Sequence, residues 1–359
     1  MPTIFVKDSY RAAVEAASGG HQTVLYDDKG FPSIMNVIPK FNMEDMDPAL
    51  GTGVHPAFIK GGVQKSEIFV GTYPSIVADD RAVSMPMVPA LGGKTFDQAR
   101  TYCKNKGPGW HMLTNHEWAA IAIWLAKKGI KPNGNTNYGR SHKALYETGV
   151  REDGAAPGLT SGTPYTIPGS GPITWNHDQT ANGIVDLIGN RSTWVDLLKL
   201  VDGRVYCPAD NNFDLAEADW PAQNVFFDVS AAYSDDGVTQ QYGYPILSDA
   251  IINRTGAPGV IGTYDDYTTV AWASLVNKAG FVTPALMKQL LIAPIEPAGV
   301  SDFSKMSEGT LYIRNNGERL PLRSGRCNGG SSAGAGCLSL GYPRSFQYGS
   351  IEFRVAFCL

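Results

Sequence analysis

Four patterns in this chain have the residue types for chemistry, and each is tested by what its reaction requires. Gly330-Ser331-Ser332-Ala333-Gly334 fits the nucleophile-elbow string G-x-S-x-G. That serine must lie between a strand and a helix, with a histidine later in the chain to take its proton. The last histidine is His177, and the residues after Gly334 stay glycine-rich without helical periodicity. Gly93-Lys94-Thr95 ends like a phosphate loop, but the earlier glycine such a loop needs falls on Val88. Thr95 is better explained as a helix cap. His111 and His116 stand five apart with Glu117 beside the second, whereas a zinc helix sets its histidines at i and i+4. They read as polar residues at a helix start. Cys327 and Cys337 are ten apart, with no C-x-x-C pair and no histidine after them, which gives a zinc site little support. No carboxylate pair stands out from the 34 acidic residues, so glycoside hydrolysis has no candidate pair.

With catalytic signals this thin, composition narrows the class. The chain has 359 residues, 43% of them hydrophobic, enough for a sizeable core, and a formal net charge of −4. Nucleic-acid binders release counterions with basic surfaces, so that class is excluded as an expectation. The most apolar short run, residues 119–126, is far shorter than the roughly 18 residues a bilayer requires, so no membrane insertion is expected. The first residues lack a basic region followed by an apolar stretch. Five scattered cysteines (103, 207, 327, 337 and 358) suit free thiols better than a disulfide scaffold. The expectation is a protein made in the cytoplasm without a signal peptide. Gly (40) and Pro (23) are abundant, which implies many turns and long irregular connections.

The elements follow from caps and periodicity. Residues 1–65 read as a small α/β unit for attachment or assembly. Asp8 or Ser9 caps a helix through Ala17, and strands at 23–26 and 33–38 flank the turn Asp27-Asp28-Lys29-Gly30. Residues 42–62 resemble a linker. The second unit, 66–359, opens with a strand at 67–72. A helix from Thr95 puts Phe96, Ala99, Tyr102 and Cys103 on one face. Thr114-Asn115-His116-Glu117 is a capping box that starts a helix with Trp118, Ile121, Ala122 and Leu125 as its apolar stripe until Gly129. Residues 131–178 are almost all turn formers, a length usually reserved for ligand-shaping loops. Residues 199–310 hold weak strands and one short helix behind Thr283-Pro284, and read as a decorated insertion.

Three ordered segments carry a family resemblance. His111-Met112-Leu113-Thr114-Asn115-His116-Glu117-Trp118 resembles the R-L-P-T-E-A-E-W signature of C-type lectin folds of the formylglycine-generating-enzyme type. Gly183-Ile184-Val185-Asp186-Leu187-Ile188-Gly189-Asn190, continuing to Trp194, resembles that family's G-L-Y-D-M-x-G-N-V-W-E-W. Leu322-Arg323-Ser324-Gly325, running to Ile351-Glu352-Phe353-Arg354, resembles its terminal R-G-G-S-W…G-F-R. His111, Leu113 and Ser192 depart from the family's Arg, Pro and first Trp. The resemblance implies an α+β, loop-rich C-type lectin fold over 66–359. Trp118 and Trp194 would anchor the core, and Gly189-Asn190 would form a tight turn requiring positive φ.

The third segment also resembles the variable region of proteins diversified by retroelements, many of them receptor binders at phage tail tips. Such regions are mutagenised at template adenines, chiefly in AAY codons, and changing the first two bases of those codons cannot give Lys, Glu, Gln, Met or Trp. Between Ser324 and Ser350 only Gln347 is of an excluded type. The resemblance places the exchangeable ligand-binding residues within about 323–354, at Arg326, Cys327, Asn328, Ser332 and Cys337, then at Ser339, Gly341, Tyr342, Phe346 and Tyr348. Gly325, Gly334, Leu338, Leu340, Ile351 and Phe353 would be the fixed frame. Aromatic rings with Ser and Asn form the composition of a paratope.

The implied function is a non-catalytic receptor- or ligand-binding protein in a phage or prophage tail. Its partners would be a host surface protein or other macromolecular ligand, and tail components through residues 1–65. No cofactor is expected. A structural calcium ion suits the fold, although no EF-hand-like spacing names its ligands. One alternative is a copper oxidase of the formylglycine-generating type, which pairs cysteines five apart and acts on a cysteine-containing peptide. A structural virion protein is the other.

Overall fold

The computed structural model describes residues 8–232, 234–235, 240–241, 243–255, 267–295 and 308–359. Its class is mixed α+β and rich in sheet. Local signals set the helices. Asp8 caps the helix Ser9–Ser18 by accepting a bond from Arg11 N at 2.7 Å, and Gly19 ends it in the left-handed region at φ 63°. Thr95 and Thr114 both form complete capping boxes, for Phe96–Lys104 and Asn115–Lys128. The second of these helices ends at Gly129, φ 67°. It is buried on nearly all sides, from Asn115 through Ile123, so it runs through the interior and does not lie on the surface.

Two sheets share the core. The smaller runs, in spatial order, Gln22–Tyr26, Pro32–Pro39, Glu67–Gly71, Val355–Phe357 and Trp110–Met112. The penultimate strand of the larger sheet's final segment, Ile351–Phe353, is joined to Val355–Phe357 through Arg354 alone. Arg354 is fully buried and donates from Nη1 to the carbonyls of Gly71 and Thr72 and from Nη2 to that of Val185, at 2.8–2.9 Å. One guanidinium thus ties the end of the chain to the start of the second unit.

The larger sheet runs Thr268–Ala271, Thr310–Ile313, Leu338–Tyr342, Glu318–Arg323, Lys199–Val201, Arg204–Tyr206, Ala222–Val229, Pro245–Ser248 and Val276–Asn277. Ser192–Trp194 pairs with Glu318–Arg323 and with Ile351–Phe353. Leu338 and Leu340 face one apolar cluster with Leu311, Ile313, Trp118 and the helix Asn115–Lys128. Leu320 and Leu322 face a second cluster with Trp194, Phe96, Ile351 and Phe353.

Three expectations need correction. The boundary near residue 65 is crossed by a full ladder, Met35↔Gly71 through Pro39↔Glu67, so residues 22–39 belong to the sheet that holds the second unit's first and last strands. Residues 42–62 are no linker, because Leu50, Ala57 and Phe58 are buried in the core. Residues 199–310 are no decoration where described: Val205, Val225, Phe227 and Leu247 lie in the main apolar cluster, and their strands extend the large sheet. The last misreading arose because short strands whose partners lie far away in sequence show no periodicity long enough to count.

Candidate ligand-binding cleft

The site is built on the strand Leu338–Tyr342. Its residues alternate, with Leu338 and Leu340 fully buried and Ser339 turned to the other face. In register, Ser339 stands beside Tyr312 on one neighbour and Leu322 on the other. Above this floor, residues 324–337 form a loop, and the two together enclose a cleft of about 300 Å³. Ser324 (φ 83°) and Gly325 (φ 94°) turn the chain out of the strand. Gly325 has no substitute: a Cβ there would lie 2.5 Å from the Cβ of Ala333. Gly334 passes as close to residue 308, where a Cβ would meet the Glu308 carbonyl at 2.3 Å. The loop is pinned from below by Gly189-Asn190, both at positive φ. Ser324 Oγ donates to Gly189 O (3.0 Å), and Cys327 N donates to Asn190 O (2.9 Å). The Asn190 side chain is itself locked, accepting from Asn135 Nδ2 and Thr166 N and donating to Thr166 O.

Seven of the ten residues read as exchangeable line this one cleft. Arg326, Asn328 and Ser332 come from the loop, Cys337 from its end, and Ser339, Gly341 and Tyr342 from the strand. Phe346 and Tyr348 lie next to it. The rings of Tyr342 and Phe346 stack at 4.1 Å and 22°, and those of Phe346 and Tyr348 at 6.2 Å and 13°. Tyr348 is 61% exposed, while Tyr342 and Phe346 are half-buried against the Leu320–Leu322 cluster. Arg344 holds the connection between the rings through Glu318, Asp97 and Glu217.

Cys327 is the exception. It is buried, and its carbonyl accepts from Tyr138 N at 2.6 Å, so it belongs to the support and not to the surface. Cys337 is also buried, and it meets the cleft only at the floor. Burial pushes both thiols up to about 11. The charged groups acting on them are arginines, Arg191, Arg326 and Arg151 for Cys327 and Arg323 and Arg326 for Cys337. Among the described residues no group of three or more His, Cys, Asp or Glu side chains could hold a metal ion.

The apolar residues expected to form the frame are buried. Trp118 and Trp194 are buried, and their indole N–H groups donate to Ala335 O (3.0 Å) and Lys94 O (3.1 Å). Ile351 and Phe353 are buried beside Trp194. The set-aside histidines are core groups. His111 Nε2 bonds Glu117 Oε1 at 2.8 Å and its ring stacks on Phe213 at 3.6 Å, while burial pushes His116 down to about 4. Gly330–Ser332 is a single 3₁₀ turn with no helix after it, so the G-x-S-x-G serine has no elbow.

Among the cleft residues that sequence reasoning missed are Tyr267, Tyr312 and Arg314. Tyr267 and Tyr312 meet edge-on at 5.7 Å, and the Arg314 guanidinium lies 5.9 Å from the Tyr267 ring centroid. The alternation in Thr310–Ile313, with Leu311 and Ile313 buried, was the available signal for Tyr312. Comparison with protein-family models and with curated proteins gave no match.

Proposed function

We propose that this chain is a non-catalytic binding protein whose C-terminal cleft and aromatic rim form an exchangeable recognition face on a C-type lectin frame of the formylglycine-generating type. One observation carries the proposal. Seven of the ten positions that the resemblance marks as exchangeable line one cleft, while Leu338, Leu340, Ile351 and Phe353 between and after them point into the core. The frame reading is supported by the pairing of Glu67–Gly71 with Val355–Phe357, which brings the unit's ends together, and by the capped helix Phe96–Lys104, which shares an apolar cluster with that sheet. Tyr, Ser and Asn give rigid area and adaptable hydrogen bonds at low entropic cost, the requirements of a face that must accept many ligands. The setting that goes with it is a phage or prophage tail, with a host surface protein or other macromolecule as ligand and residues 1–65 engaging tail components.

The test is the gene itself in sibling isolates, together with any near-copy of the coding region for 323–354 beside a reverse transcriptase. Adenine-limited differences confined to the cleft and rim positions are expected. Substitutions spread evenly over the gene would overturn the proposal.

A further inference from the structure

The cleft collects positive charge. Arg314, Arg323 and Arg326 line it, and among the described residues no Asp or Glu does. None of the three forms an ion pair with a carboxylate of the described residues. Arg323 is committed to the frame: its Nε and Nη2 donate to Asn115 Oδ1 and its Nη2 also to Leu291 O. The other two are less occupied. Arg314 is buried, donates from Nη1 to Gly341 O at 3.3 Å, and its Nε has no hydrogen-bond partner among the described residues. Arg326 is half-buried, lies 5.9 Å from the Tyr342 ring centroid and donates from Nη2 to the Tyr342 hydroxyl.

Guanidinium carries five donors and no acceptor, so whatever fills such a cleft must bring acceptors and negative charge. A neutral sugar would leave the guanidinium charge without a counter-charge. A carboxylate meets the planar fork of an arginine with two parallel hydrogen bonds. The stack Tyr342–Phe346–Tyr348 extends this site beyond a hole of about 300 Å³, which holds one side chain and leaves the neighbouring residues of a protein ligand to rest on the rings.

We propose that the cleft receives an acidic side chain, Asp or Glu, of a protein partner, gripped by Arg326 and Arg314 while flanking residues lie on the Tyr342–Phe346–Tyr348 stack. The proposal rests on the recognition-face reading and adds the chemistry of the ligand.

The experiment uses the full chain and fluorescence anisotropy with three labelled probes: a peptide alternating Glu and Gly, its Gln counterpart, and a glucuronate oligosaccharide. The Glu peptide is expected to bind, to weaken as salt is raised, and to lose about tenfold in affinity on Arg326→Gln, as the loss of one charge-assisted pair implies. Arg326→Lys keeps the charge without the fork, so an intermediate affinity is expected; it also serves if Arg326→Gln lowers the thermal midpoint. Equal binding of the Gln peptide, an unchanged affinity in both Arg326 variants, or binding of the glucuronate probe in place of the Glu peptide would each overturn the proposal. Asp265 and Asp266 precede Tyr267 and lie outside the described residues. Were D265N/D266N to bind the Glu peptide about tenfold better than the native chain, the counter-charge would be the chain's own, and the proposal would fall. Failure in any of these arms leaves the sibling-isolate result untouched, so the two readings fail separately.

Discussion

Arg323 Nη2 lies 2.6 Å from Asn115 Oδ1, joining the start of the stretch that holds the exchangeable positions to the first residue of the interior helix. Both residues are fully buried, and no carboxylate shares the bond. A cation held by neutral acceptors alone lacks full compensation, and burial pushes Arg323 down to about 9. Removing its main acceptor strands the charge. Asn115→Ala is expected to cost about 2–3 kcal/mol, the scale of hydrogen bonds to a charged group, read by urea unfolding. A loss under about 0.5 kcal/mol would mean that the loop is held elsewhere.

Two glycines of the same stretch should behave in opposite ways. Gly325 has φ 94° and would press a Cβ against Ala333 at 2.5 Å, whereas a Cβ on exposed Gly349 meets nothing within 4 Å. Gly325→Ala is expected to cost about 1–3 kcal/mol and Gly349→Ala to stay within about 0.5 kcal/mol. Equal effects in thermal unfolding would contradict the assignment of Gly325 to the frame.

The aromatic rim should be separable from the core. Tyr348→Ala is expected to be neutral within about 0.5 kcal/mol, because the ring is mostly exposed. Adding Tyr342→Ala and Phe346→Ala removes a half-buried stacked pair and should cost about 1–3 kcal/mol in all, without loss of the cooperative transition. Collapse of the fold in the triple variant would make these core residues.

Stability should fall as pH rises from about 6.5 to 8. Burial pushes Asp186 up to about 7 and Glu352 up to about 8, with Arg354 partly opposing the shift in each. For a carboxyl raised in the folded state, the folded protein binds the extra proton. That contribution is complete below the unfolded value near 4 and is lost as pH passes through the folded one. His116 and His177, both pushed down to about 4 by burial, act in the opposite direction but below about 6.5, so the window above it belongs to the acids. Glu352→Gln is expected to flatten the decline of the thermal midpoint in this window. A midpoint that rises across it would refute the protonated carboxyls.

What the sequence made legible was local. Thr95 and Thr114 announce their helices because a cap, and for Thr114 a full capping box, is written in adjacent residues. The turn at Asp27-Asp28-Lys29-Gly30 announces the hairpin Gln22–Tyr26 and Pro32–Pro39 for the same reason. The cleft was half legible. Codon logic and the resemblance pointed to Ser339, Tyr342 and their neighbours, but Tyr312 enters through a parallel pairing of Thr310–Ile313 with Leu338–Tyr342, and parallel pairing leaves no mark in either strand. Cys327 was misplaced because the backbone partners that hold it, Tyr138 and Asn190, lie more than a hundred residues earlier. Leu50 and Phe58 were hidden among turn formers whose backbone had to bend to put them in the core.

The separation of a replaceable face from a fixed frame can be measured in one pooled experiment. Codons from 324 to 353 are randomised singly with pyrimidine-ending triplets, and the displayed full-length variants are sorted for protease resistance. Asn328, Ser332, Ser339, Tyr342, Phe346 and Tyr348 should accept most replacements. Gly325, Gly334, Leu338, Leu340, Ile351 and Phe353 should accept almost none, and Cys327 should sort with them. If the cleft and rim positions prove as intolerant as Leu338 and Leu340, the stretch is ordinary core and no recognition face exists there.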